Sequence, residues 1–353
     1  MKRLVLLGGG HAHAFLLNEL RRAPLADVAI TLVSPYPAQT YSGMLPGLIA
    51  GHYSAHDLQI DLARLSRETG AVLLLDRAVG LDPANRVVTL ERSGEIAYDL
   101  LSLNTGSVTD TRVPGSAEFA LSAKPFEPFL QRWESARGTA KHFAVAGSGA
   151  AGVELAMAIR FRRPDAAVVL FSERNMFEGR FAERIRDALA RCGVEVRPGA
   201  PVEQLARGPV LRANGRDEAF DLVVWSTGAA AEPWLARSGL AVDSRGFALV
   251  DASLRSVSHP GVFAAGDAAT LRDASHPKSG VYAVRHAPVL LENLRRTLRG
   301  VPTLAYEPQR NQLALISCGA KYAIASRGGW SAEGEWAWRW KDWLDRRWIA
   351  RFR

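Results

Sequence analysis

One pattern recurs in this chain and limits most of what it can fold into: a short apolar strand running into a glycine-rich turn and then a helix. Residues 3–7 lead into Gly8-Gly9-Gly10-His11-Ala12-His13, a helical run follows over 15–22, and a second strand over 28–33. The pattern returns with Gly147, 139 positions after Gly8. There residues 142–146 lead into Gly147-Ser148-Gly149-Ala150-Ala151-Gly152, then a helix to 161 and a strand over 167–171. Glycine permits the tight bend and the close approach of backbone to a pyrophosphate, and the helix start offers N–H groups to the anion. One such loop is weak evidence, but two in the same context predict two dinucleotide-binding units. The first departs from the usual pattern: His13 holds the third glycine position, and Ser34 stands where a ribose-binding Asp or Glu is expected.

Smaller signals follow the same plan. Residues 99–106 read as a strand ending in Thr105-Gly106, and residues 220–228 repeat this, Gly228 lying 122 positions after Gly106. Asp267 lies just beyond a short buried strand near residue 263, while 72–75, 86–90 and 95–98 read as strands between polar turns. This order predicts a first unit interrupted by a second and then resumed. With 353 residues, 48% apolar and 23% charged, the chain is globular and long enough for two or three domains. The net charge of +8 points to an anionic partner. Cys192 and Cys318 belong to no CxxC or zinc cluster, so neither a dithiol mechanism nor a pairing between them is expected. No run approaches the roughly 20 apolar residues that span a bilayer, which predicts a cytoplasmic chain.

Together these motifs resemble the two-dinucleotide-binding-domain flavoprotein superfamily, which includes type II NADH dehydrogenases, sulfide:quinone oxidoreductases and disulfide reductases. The resemblance covers residues 1–325 and implies an α/β fold: two Rossmann-like FAD/NAD(P)-binding domains, the second inserted in the first, with a C-terminal α+β extension. The expected division is 1–110 and 246–300 for the FAD domain, 111–245 for the NAD(P)H domain and 301–353 for the C-terminal segment. The octapeptide from Gly8 to Phe15, the segment from Tyr41 to Gly47 and that from Gly280 to Arg285 resemble more closely the flavoprotein family found fused ahead of selenophosphate synthetase, or alone. His13 and Ser34 are ordinary in that family. The sequence carries no synthetase domain, so selenophosphate synthesis is not expected of it.

The resemblance implies FAD and NAD(P)H as cofactors and hydride transfer from the nicotinamide to flavin N5, then electron delivery to a quinone or similar small acceptor. It places FAD at Gly8, Gly10, His11, Ala12, Ser34, Pro46, Thr105, Gly106, Gly266, Asp267, Gly280, Val281 and Tyr282. It places the nicotinamide coenzyme at Gly147, Gly149, Ala150, Gly152, Glu173, Arg174, Thr227 and Gly228. Lys124, Glu154 and His286 are the candidate catalytic residues. Glu154 matches an acidic position of type II NADH dehydrogenases, or is simply an acid favoured by the helix dipole. His286 relays protons on the acceptor side or packs as a buried imidazole. A helix is expected from 281 to 298, kinked or restarted at Pro288. Ser172 or Glu173 takes the ribose slot, Arg174 suits a 2′-phosphate, and neither coenzyme is favoured. His11 and His13 lack nearby Cys or Asp partners, so no metal is expected. Other readings stand beside the dehydrogenase: a sulfur- or selenium-related oxidoreductase, which the cysteines discourage, and a non-catalytic flavin redox sensor.

The end of the chain is the most unusual segment. Five of the nine tryptophans fall between Trp336 and Trp348, and six Lys/Arg against two Asp over 336–353 supply +4 of the charge. As a helix, the segment gathers Trp336, Trp340, Trp343, Leu344 and Trp348 on one arc. Such an arc fits a peripheral membrane contact on the cytoplasmic face, packing on the body of the protein, or a homodimer. No motif for nucleic acid accompanies it.

Overall fold

Each glycine loop sits at the C-terminal end of the middle strand of its own parallel sheet. The computed structural model describes residues 1–174, 178–274, 277–309 and 311–353. In the first sheet the strand order is Val262–Ala264, Leu100–Leu103, Lys2–Leu7, Val28–Ser34 and Val72–Leu75. In the second it is Leu121–Ser122, Leu222–Trp225, His142–Ala146, Ala167–Ser172 and Glu195–Pro198. The two orders correspond strand for strand. In both sheets the middle strand pairs in parallel with the strand that leads to the Thr-Gly turn. All parallel strands need both faces covered, which is why Leu4, Val5, Leu6 and Leu7, and likewise Phe143, Ala144, Val145 and Ala146, are buried without alternation. Fully burying such a side chain contributes about 1.5–3 kcal/mol.

Antiparallel three-stranded meanders, Ala78–Leu90 extended by Gly94–Ala97 and Val202–Ala213 extended by Arg216–Ala219, accompany the respective sheets. The first sheet takes its last strand, Val262–Ala264, from beyond the second unit. The helix expected at 281–298 runs from Gly280 to Arg299 with Pro288 inside it, so the element does not restart there.

The C-terminal hairpins Ala314–Ser317, Ala323–Arg327 and Trp330–Gly334 form a third small sheet. Glu333 ties it to the second unit through Arg184 at 3.1 Å and Arg191 at 2.8 Å, on helix Gly179–Arg191. The terminal helix Glu335–Ile349 then crosses to the first unit, where Tyr41 and Tyr53 donate to Asp345 at 3.0 Å and Asp342 at 2.7 Å. No helix among the described residues is long and apolar enough to cross a membrane.

The expected amphipathic arc is divided by the fold. Trp348 is buried and stacks toward His11 and Phe15, with ring centroids 6.4 Å from each. Trp336, Trp340, Trp343 and Leu344 remain exposed, Trp343 by 52%. The face turned inward carries charge instead: Lys341 donates to Asp345 at 2.7 Å, with side chains only 12% and 10% exposed.

Candidate dinucleotide site

The first glycine loop is built from side chains far apart in sequence. Gly8 has φ +89°, and a Cβ there would lie 2.5 Å from the Asn104 carbonyl oxygen. A Cβ on Gly10 would lie 2.2 Å from Asn104 Oδ1. Asn104, the residue just past strand Leu100–Leu103, therefore fits only against glycine. Its Oδ1 accepts from the N–H groups of Ala12 and His13 at 3.0 and 3.4 Å, and its Nδ2 donates to Ala265 O at 2.8 Å. One buried amide thus joins the glycine loop, the Thr-Gly turn and the segment leading to Asp267. No sequence motif marks Asn104 beyond its place before Thr105-Gly106. Ala12, expected to face the cofactor, spends its N–H on Asn104 and does not line the cleft described below.

His13 replaces glycine by a different device. Its Nδ1 donates to Gly8 O at 2.6 Å, since a carbonyl can only accept, and its Nε2 then accepts from Ser102 Oγ at 2.8 Å. Burial pushes the imidazole down to about 4, and the Gly8 carbonyl only partly opposes this. His11 is likewise pushed down to about 4 by burial. Its ring sits 5.3 Å from Tyr41, and Nδ1 lies 2.9 Å from the Gln39 amide.

Beside this loop opens a cleft of about 1240 Å³ of empty space, its mouth included. Of the sequence-predicted residues, it is lined by Gly8, Gly10, His11, Ser34, Thr105, Gly106, Lys124, Asp267 and Gly280. Lys124 Nζ donates to Asp267 Oδ2 at 2.8 Å and to Ser107 Oγ at 3.0 Å. Burial pushes the Asp267 carboxyl up, but Lys124, Ser107 and Lys278 outweigh it and hold the group below the usual carboxylate range. At the cleft's other reach stand Glu232 and Trp234 beside Asp76, Arg77 and Ala78, none of them anticipated from sequence. Burial raises the Glu232 carboxyl, and Arg77 partly offsets that.

Four predicted residues lie elsewhere. Pro46 is buried in helix Leu45–Ala50, which packs on helix Ala150–Arg162 rather than lining the cleft. Val281 is exposed on the first turn of helix Gly280–Arg299, while Tyr282 is buried beside it. His286 is fully buried behind the Gly266 turn, where its Nδ1 accepts from Gly266 N at 3.1 Å and its ring meets Tyr306 edge-on. There it holds the turn in place. Gly266 itself, with φ +66°, shapes the bend that presents Asp267.

The second glycine loop is more open. Gly152 fills the third position because a Cβ there would lie 1.8 Å from Gly147 O. Ala150 and Ala151 are exposed, and Gly149 has open space around it. Thr227 donates to Asp110 O at 2.9 Å, and Asp110 N donates to Gly228 O at 2.8 Å, so this Thr-Gly turn is fixed by backbone from outside the sheet. Glu173 and Arg174 are exposed just beyond strand Ala167–Ser172.

Glu154 faces the C-terminal extension. Its Oε1 accepts from Ser317 N at 2.8 Å. Burial raises its carboxyl, with the Lys341 ammonium partly opposing. Both cysteines are free, yet Cys192 Sγ donates to Cys318 O at 3.4 Å, a proximity that their sequence positions do not show. Burial raises both thiols, which favours their protonated forms.

Residues 2–287 match the profile of the pyridine nucleotide-disulphide oxidoreductase family. The chain belongs to that family. Among curated relatives it is similar to an NADH dehydrogenase-like protein of Bacillus subtilis, 25% identical over 311 residues covering 85% of each chain. It is also similar to the alternative NAD(P)H-ubiquinone oxidoreductase C1 of Arabidopsis thaliana, 27% identical over 87% of this chain and 69% of the other. The sulfide:quinone oxidoreductase of Aquifex aeolicus shares its fold with a TM-score of 0.82 at 16% identity, covering 100% of this chain and 92% of that one. The water-forming NADH oxidase of Lactobacillus brevis does so at 0.76 and 22%, covering 93% and 75%.

This member is a pyridine-nucleotide flavin oxidoreductase with FAD and NAD(P)H as cofactors. Its residues fit the flavin dinucleotide. His11 Nε2, Thr105 Oγ1 and Ser279 Oγ are buried without a hydrogen-bond partner among the described residues, at or beside the cleft. Unpaired buried polar atoms are costly, so such a set suits a ligand that brings its own donors and acceptors.

Proposed function

We propose that the chain passes electrons from a nicotinamide coenzyme to a quinone or a similar small acceptor. On this reading, residues 1–110 and 246–300 hold FAD, 111–245 hold the nicotinamide coenzyme, and 301–353 form the acceptor side. FAD supplies the two-electron redox chemistry between the two. The protein's part is to bind and orient. Gly8 and Gly10 admit the pyrophosphate, Lys124 and Asp267 keep a fixed ion pair on the cleft wall, and the start of helix Gly280–Arg299 turns its positive end toward the cleft. Glu154 keeps a carboxyl with raised proton affinity between the second glycine helix and the terminal helix.

The observation that carries the acceptor assignment is the inverted terminal helix. Its Lys341, Asp342 and Asp345 meet Glu154, Tyr53 and Tyr41, while Trp336, Trp340 and Trp343 face outward among Arg339, Arg346 and Arg347. Indole rings flanked by arginine suit a lipid headgroup layer, from which a quinone dissolved in the bilayer is within reach. The Arabidopsis relative's name supports the same acceptor class. The adjacent cysteines alone favour sulfur chemistry, and their raised thiols weigh against it.

The test is steady-state reduction of a short-chain ubiquinone analogue by the FAD-loaded protein, with co-sedimentation on anionic phosphatidylglycerol vesicles. Quinone turnover is expected, with vesicle binding that Trp340→Ala and Trp343→Ala weaken. Turnover with ferricyanide but none with any quinone would remove the acceptor from this account.

A further inference from the structure

We infer that Glu232 grips the adenosine half of FAD, so that the chain returning from the second unit helps to close the cofactor cleft of the first; this rests on the reading of that cleft as the FAD site. A dinucleotide carries its pyrophosphate in the middle, and the cleft has its glycine loop between two reaches. One reach holds Lys124, Asp267 and Gly280, and the other holds Tyr36, Arg77, Glu232 and Trp234. In a dinucleotide-binding unit the adenosine lies at the end of the second strand. That strand ends here at Ser34, whose carbonyl accepts from Asp76 N at 3.1 Å and so sets Arg77 at the same end. Other polar side chains there are already engaged. Ser34 Oγ donates to Tyr36 O at 2.8 Å, and Asp76 accepts from Ser93 Oγ at 2.6 Å and from the N–H groups of Arg77 and Ser93 at 2.7 and 2.8 Å.

Glu232 is half-buried and lines the cleft, yet its carboxylate accepts no hydrogen bond and enters no ion pair among the described residues. Burial raises its proton affinity, and the nearby Arg77 guanidinium offsets only part of that. Taking a carboxylate out of water without donors is costly, so the group suits a ligand that brings them. An ionised carboxylate only accepts, and its charge repels a pyrophosphate. The donors it fits are those of the nucleoside: the exocyclic amine of adenine and the ribose diol. The join between the units puts Glu232 in this place. Strand Val108–Thr109, which leaves the Thr105-Gly106 turn, pairs antiparallel with Ala229–Ala230, which leaves the Thr227-Gly228 turn. Beyond Glu232, helix Pro233–Arg237 packs on strand Ala78–Asp82, and Trp234 and Leu235 are buried in the core of the first unit. The carboxylate is thus fixed between a backbone ladder and a buried indole, within the stretch 111–245 but against the first unit's cleft.

The test is the rate at which the loaded protein releases its dinucleotide on dilution, read by flavin fluorescence. Glu232→Ala should release FAD at least about tenfold faster, and Glu232→Gln, which keeps an acceptor oxygen, should do so by less. Two analogues of FAD identify the donor: hypoxanthine in place of adenine removes the amine, and 2′-deoxyribose in place of ribose breaks the diol. At least one of them should leave the wild-type protein about as fast as FAD leaves Glu232→Ala, and for that analogue Glu232→Ala should add nothing further. An equal acceleration of FAD and both analogues in Glu232→Ala would mark a merely structural residue and overturn the inference. Wild-type protein that holds both analogues as long as FAD would overturn it without any variant. Either result leaves FAD in the cleft. Retention of FAD in Gly10→Val, whose side chain blocks the glycine loop, would instead sink the reading of the cleft itself, and the inference with it.

Discussion

The two glycine loops share a sheet topology and differ in how they are closed. The first is sealed from within: Asn104 takes the N–H groups of Ala12 and His13, and the His13 imidazole bridges Gly8 O to Ser102. The second has Ser226 where the first has Asn104, and Gly152 where the first has His13. No side chain among the described residues caps its helix, and Ala150 and Ala151 stay exposed. The difference separates a built-in site from an open one. A loop tied to three distant segments suits a cofactor that stays bound, and a loop with free helix N–H groups suits one that exchanges at each turnover.

The largest expected effects come from filling the glycine contacts. Gly10→Val drives a side chain into Asn104 and should cost about 3 kcal/mol or more of stability, with loss of flavin. Gly152→Val should spare the flavin and cut flavin reduction by the nicotinamide at least about a hundredfold, about 2.7 kcal/mol. Loss of flavin in Gly152→Val, read from the absorbance ratio of the purified protein, would break the separation between the loops.

Acid should unlock the first loop alone. A buried histidine whose folded value lies below its unfolded one binds more protons when unfolded, so its stabilisation is complete above pH 6.5 and lost as pH falls toward about 4. For His13 the loss is on the order of 3 kcal/mol. Asp76, held at about 2 by Ser93 and backbone N–H groups, gives way only in a lower window. Urea unfolding from pH 7 to 4 should show the slope, and His13→Gln should remove about half of it, the remainder belonging to His11. An unchanged slope in that variant would assign the acid sensitivity to another group.

Asn104→Ser converts the first loop's cap to that of the second. Leaving the Ala12 and His13 N–H groups unpaired should cost about 2 kcal/mol and lower Tm by several degrees, with faster flavin loss on dilution. Unchanged flavin retention would show that the cap does not distinguish the loops. The smallest effect is expected at Trp343: its replacement by Ala should move stability by less than about 0.5 kcal/mol, since the ring is exposed.

Much of this architecture is legible in the sequence where geometry dictates residue type. The glycines at 8, 10, 147 and 152 each answer to a backbone oxygen or an amide that a Cβ would strike, and strand ends such as Thr105-Gly106 follow from apolar runs. Asn104 and Gln39 escaped because their partners lie far along the chain and spacing carries no trace of them. The same holds for Cys192 and Cys318, brought together by packing of the second unit against the C-terminal sheet. The terminal helix misled for another reason. An apolar arc is ordinarily the buried one, but here Lys341 and Asp345 find Tyr41 and Glu154 inside, and of the arc's indoles only Trp348 is buried while Trp336, Trp340 and Trp343 stay outside. Helical spacing locates an arc without saying what faces it.

Gel filtration of the purified protein, loaded with FAD and a nicotinamide coenzyme together and run in cofactor-free buffer, tests the contrast most directly. The account predicts that the flavin band at about 450 nm co-elutes with the protein while the nicotinamide trails in the small-molecule fraction. Flavin stripped into the buffer, with nicotinamide retained by the protein, would contradict it.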